Sequence, residues 1–109
     1  MFKLIRDKIP ELAKKDGQVI NYASVQNDEL FIGLLRNKLV EEVQEFLNTG
    51  EVTELVDVET VIKALIKVSG LSDEDFTKLY NEKLKTNGDF DKRYVGFFPD
   101  PTPSQGSAE

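Results

Sequence analysis

The chain has 109 residues, a mass of 12.3 kDa, 39% hydrophobic and 31% charged side chains, and a net charge of −6, the profile of one soluble globular domain rather than a disordered chain. Cysteine and histidine are both absent, which excludes disulfides, thiolate nucleophiles, Cys-ligated zinc and imidazole bases. Carboxylates, hydroxyls, amines or a hard metal ion remain for any chemistry.

The opening Phe2-Lys3-Leu4-Ile5-Arg6-Asp7-Lys8-Ile9 leads into Pro10, which suits the first turn of a helix, and Gly17 is a natural stop. A helix of about two turns is predicted between them. Residues 18–25 carry Val19, Ile20, Tyr22 and Val25 and favour a short extended segment. Asn27 or Asp28 caps a long helix running to about Asn48, where Asn48-Thr49-Gly50 ends it. A second long helix starts close to Glu51 and stops at Ser69-Gly70, and Ser72 with Asp75 forms a capping-box pattern opening a last helix to Asn87-Gly88. Tyr94 to Phe98 is aromatic and extended, a candidate partner for 18–25 in a small two-stranded ribbon. The expectation is an all-α bundle of about four helices, with a helical domain over 1–98 and a loose Pro-rich tail over 99–109.

The charges are unevenly placed. Between Lys38 and Lys63 stand Glu41, Glu42, Glu45, Glu51, Glu54, Asp57 and Glu59 with no base, while the rest of the chain carries fourteen bases and thirteen acids. Without a basic face the protein is not expected to coat a nucleic-acid polymer. Its apolar runs fall far short of a bilayer span, and no apolar h-region follows the N-terminal charges, so a cytoplasmic protein is expected.

On a helical wheel, Phe31, Ile32, Leu35, Leu39, Val43 and Phe46 share one arc of the first long helix. Glu42 falls inside that arc and Glu45 at its edge beside Lys38. The next helix repeats the pattern: Leu55, Val58, Val61, Ile62, Leu65 and Ile66 form the arc, Glu54 lies between Val61 and Leu65, and Asp57 stands at the margin. A three-residue connection, Asn48 to Gly50, forces the helices into an antiparallel hairpin. Glu45 and Glu54 are then equidistant from the turn, as are Glu42 and Asp57, so the four acids face one another in two layers about 4–5 Å apart. Four carboxylates without a cation repel, and an oxygen-seeking ion such as Mg²⁺ or Mn²⁺ resolves the conflict. The opposing reading is a solvated acidic face in which Lys38 and Glu42 make an ordinary helix ion pair. Lys3, Arg6 and Lys8, and likewise Lys83, Lys85, Lys92 and Arg93, are either phosphate ligands or exposed basic edges. The apolar arcs, with Leu30, Leu34, Val40 and Leu47 outside them, exceed what two or three short helices cover and point to a homodimer or larger homo-oligomer.

Four stretches together resemble the MazG-like all-α nucleotide pyrophosphohydrolases, in their phosphoribosyl-ATP pyrophosphohydrolase-like branch. They are Lys3-Leu4-Ile5-Arg6-Asp7-Lys8-Ile9-Pro10, Glu41-Glu42-Val43-Gln44-Glu45-Phe46, Glu54-Leu55-Val56-Asp57-Val58, and Lys83 through Asn87-Gly88-Asp89-Phe90 to Lys92-Arg93. That family's Glu-Glu-x-x-Glu and Glu-x-x-Asp signature maps onto Glu42, Glu45, Glu54 and Asp57 as metal ligands, with Glu41 as an accessory acid. The resemblance implies Mg²⁺-dependent hydrolysis of a nucleoside triphosphate to monophosphate and pyrophosphate, a disposal route for unwanted nucleotides. Glu41 or Glu45 is then the candidate general base, and Lys3, Arg6, Lys8, Lys83 and Arg93 the candidate phosphate ligands. Phe2, Tyr22, Phe90, Tyr94, Phe97 and Phe98 are base-stacking platforms or plain core. Two alternatives stand beside this reading: a non-catalytic helical module whose acidic hairpin binds a divalent ion or a basic partner, and a true phosphoribosyl-ATP pyrophosphohydrolase.

Overall fold

Local sequence signals place each helix in the computed structural model, which describes residues 3–99. Pro10 sits in the first turn of α1 (Ile9–Lys15), and basic Lys14 and Lys15 face its negative C-terminal end. Helix α2 (Asp28–Thr49) is capped by Asn27, whose side chain accepts the Leu30 N–H at 2.9 Å, and Asp28 and Glu29 favour its positive first turn. At the other end Gly50 takes the left-handed conformation, φ 70°, and its N–H donates to Phe46 O at 2.7 Å. Helix α3 (Val52–Val68) follows immediately and α4 (Asp73–Asn87) begins directly after Ser72, with three acids in its first turn.

All four expected helices form, and the described chain is all-α. The ribbon does not: no strand occurs among the described residues. Val19 and Tyr22 in one segment, and Tyr94, Val95, Phe97 and Phe98 in the other, are strongly exposed. An isolated two-stranded ribbon buries too little to hold itself together in water. Of the expected loose tail, residues 100–109 lie outside the described residues. Among the described residues, no helix is long and apolar enough to cross a membrane.

The chain divides into two compact units at Ser72–Asp73. In the first, α2 and α3 pack against each other as a hairpin. Its link is two residues, Gly50 and Glu51, rather than three, because α2 continues through Thr49. Thr49 makes this extra residue possible: its hydroxyl donates to Glu45 O at 3.1 Å and accepts the Glu51 N–H at 3.2 Å. Leu35 and Val61, one from each expected arc, are the buried hydrophobic side chains among the described residues, 5% and 7% exposed. Val43, Leu55 and Ile62 belong to the same arcs yet remain exposed. The hairpin therefore leaves part of its own apolar face uncovered. The N-terminal segment and residues 20–25 form a groove with Phe31 and Leu34 of α2. In the second unit Phe76 and Leu84 of α4 are half-buried, whereas Leu79 and Tyr80 are exposed.

Candidate metal centre

Glu42 reaches the hairpin interface because it lies one turn from Leu39 on the burying side of α2, and it is 8% exposed. Glu54 and Asp57, one turn apart on α3, approach it from the other helix. Carboxylate oxygens of Glu42, Glu54 and Asp57 lie within 4.8 Å of one another. Three acids so close, one of them buried, create the mutual repulsion that the mirrored spacing implies.

Positive charges meet part of that repulsion. Lys38 Nζ stands 3.6 Å from Glu42 Oε2 and 3.5 Å from Glu41 Oε1. Lys3 Nζ donates to Glu41 Oε2 at 2.9 Å. The Arg6 guanidinium donates to Asp57 Oδ1 at 2.6 Å and to Thr60 Oγ1 at 3.2 Å. The segment before α1 thus spans the hairpin, holding α2 through Lys3 and α3 through Arg6.

Glu54 is left out of this network. Its Oε1 is sealed from solvent and has no hydrogen-bond partner. Desolvation first, and then the charges of Glu45, Asp57, Glu42 and Glu51, push its carboxyl above the ordinary range. Glu41 is shifted the opposite way: the hydrogen bond from Lys3 leads the causes that hold it below its usual value, and the same bond raises the Lys3 ammonium.

No family model, curated protein or solved structure matches this chain.

Of the four expected metal ligands, Glu42, Glu54 and Asp57 converge. Glu45 is exposed and outside that group, although its charge is the second cause acting on Glu54. Glu41 lies beside the cluster in the grip of Lys3 and Lys38. Lys3 and Arg6 reach the acids, while Lys8 is exposed at the start of α1. Lys83 and Arg93 belong to the second unit, where both are exposed and Arg93 adopts φ 58°, a left-handed conformation that a non-glycine residue rarely takes. Tyr22, Phe90, Tyr94, Phe97 and Phe98 are exposed, so they are not core among the described residues; Phe2 lies outside the described residues. No motif singles out Thr60. It supports Arg6, and only the fold brings together residues 54 positions apart.

Proposed function

We propose that the protein is a Mg²⁺-dependent nucleoside triphosphate pyrophosphohydrolase of the MazG-like type, releasing monophosphate and pyrophosphate. One observation carries the reading: the buried, unpartnered Oε1 of Glu54, set among Glu42 and Asp57. A solvated acidic face has no reason to seal a carboxylate oxygen away from water and from every donor. The donor set is all carboxylate oxygen, which suits Mg²⁺ or Mn²⁺ and is a poor choice for softer metals.

Glu42, Glu54 and Asp57 would hold the ion, leaving Glu45 unengaged at its exposed position on α2. When bound, the ion would supply the positive charge that a triphosphate requires and the acidity that makes water a nucleophile at neutral pH. Glu41 and Glu45 are the remaining acids able to accept a proton from that water. Glu45 suits the role better, since Lys3 and Lys38 already occupy Glu41 and hold it in its weakly basic form. Lys3 and Arg6, exposed at the rim of the cluster, are the cations open to a phosphate entering there, whereas Lys38 is more covered. A triphosphate substrate implies a cytoplasmic setting.

Exposure of Val43, Leu55 and Ile62 within the hairpin's own apolar arcs supports assembly into a homodimer or larger bundle. The second reading, a non-catalytic module, draws on the same ion pairs: Lys3, Lys38 and Arg6 already pair with Glu41, Glu42 and Asp57. Calorimetric titration with Mn²⁺ tests the site. Binding that disappears in Asp57→Asn supports it, and equal affinity in both proteins removes these residues from metal binding. Including phosphoribosyl-ATP in a substrate panel separates a general disposal enzyme from one dedicated to that nucleotide.

A further inference from the structure

We propose that Arg6 is an exchangeable counter-ion: it occupies Asp57 while the cluster lacks a divalent cation and moves to the substrate's phosphates when the cation takes that carboxylate. The inference rests on the metal-site reading above and adds the residue that couples ion loading to phosphate capture. Asp57 is the one member of the converging triad in contact with a guanidinium, at 2.6 Å. A guanidinium at this distance already neutralises much of the Asp57 carboxylate's charge, so a divalent cation arriving at the cluster competes with it for that carboxylate.

The surroundings make release feasible. Arg6 and Asp57 side chains are both substantially exposed, 53% and 40%, so solvent screens the pair and the barrier to parting is small. Arg6 also belongs to a segment without regular secondary structure, preceding α1, which lets the guanidinium move without unwinding a helix. It remains tethered nearby: Lys3, three residues before it, stays bound to Glu41, outside the converging triad. Once Asp57 is taken, Arg6 is an unpaired planar cation beside the ion, the arrangement that best receives a phosphate through two parallel hydrogen bonds.

Exchange predicts effects of opposite sign from one substitution. In Arg6→Gln, affinity for Mn²⁺ alone rises by about two- to fivefold, the worth of an exposed ion pair. Affinity for a triphosphate analogue with a methylene between the α- and β-phosphates, measured at saturating Mg²⁺, falls by about tenfold or more. Arg36→Gln, the same charge change at an exposed position of α2, leaves both affinities at wild-type values. In the wild-type protein, which removes any dependence on the variant's folding, adding Mg²⁺ shifts the side-chain Nε–H resonance of Arg6 in step with the Asp57 carboxyl carbon. Loss of both affinities in Arg6→Gln would make Arg6 a structural brace and overturn the exchange, as would an Arg6 resonance that ignores Mg²⁺ while Asp57 responds. Wild-type protein that takes up no Mn²⁺ would overturn the metal-site reading itself. Uptake by wild type with unchanged affinity in Arg6→Gln would overturn the exchange alone.

Discussion

Gly50 and Gly33 make opposite demands on the backbone, so replacing each by alanine should move stability in opposite directions. Gly50 closes the α2–α3 turn at φ 70°, and an added Cβ there would meet nothing within 4 Å. Steric collision with the rest of the protein is therefore absent, and the whole effect is the local penalty of left-handed geometry, about 1–2 kcal/mol for an L-residue, reduced by the stiffer unfolded chain. A net loss of about 1 kcal/mol is expected for Gly50→Ala. Gly33 lies inside α2 with equally open space for an added methyl and no positive φ. Alanine there should gain about 0.5–1 kcal/mol from helix propensity. In a domain of this size each kcal/mol moves Tm by about 4–8 °C, so the variants should separate clearly in far-UV circular dichroism melts and urea titrations at one fixed protein concentration. Gly50→Asn should recover part of the loss, because asparagine tolerates the left-handed region. Gly50→Ala melting with or above wild type would refute the left-handed closure that sets Glu42 opposite Asp57. A destabilised Gly33→Ala would refute the open helix face, placing another chain over that position in the assembled protein.

Glu54→Gln should remove one pH-dependent loss of stability together with the response to metal. Folded Glu54 holds its proton more tightly than the unfolded chain, so in EDTA its contribution is lost as pH rises from near its ordinary value of 4.5 through its elevated folded value. Urea titrations of the variant should lack this fall and lack the Mg²⁺-induced rise in Tm; retention of both would place the strain elsewhere. Glu41 acts in the opposite sense, its contribution present above 4.5 and lost as pH falls through its lowered folded value. Lys3→Met should reduce that acid-side loss, leaving the part due to Lys38, and an unchanged acid limb would show that the Lys3 contact does not persist in solution. Val43→Glu or Ile62→Glu should weaken self-association by about 10- to 100-fold in sedimentation equilibrium, and assembly unaffected by either would move the interface off the hairpin.

Helix positions are legible because local signals agree with one another: Asn27 caps, Pro10 opens, Gly50 turns, and the apolar period runs through α2 and α3. The end of α2 differs by one residue since the Thr49 hydroxyl bonds forward and backward, a detail that pattern does not encode. The ribbon fails because the β-branched and aromatic residues of 18–25 say nothing about whether a covering face exists. Glu42, Glu54 and Asp57 emerge from combining the helical wheel with the symmetry of a short turn, two local quantities. Glu45 sits at the edge of the arc, where a few degrees of helix rotation decide between interface and solvent. The Lys3–Glu41 and Arg6–Asp57 pairs span 38 and 51 residues. No local rule connects them, and only the fold reveals them.

Turnover tests the central claim most directly: release of pyrophosphate and nucleoside monophosphate from a panel of nucleoside triphosphates, with Mg²⁺ and with EDTA, for wild type and Asp57→Asn. The metal-site account predicts products in equal amounts from at least one nucleotide, only with the divalent ion, and a rate reduced to background in Asp57→Asn. Uptake of Mn²⁺ at the cluster without hydrolysis of any nucleotide would contradict the enzymatic reading and leave the acidic hairpin as a binding module.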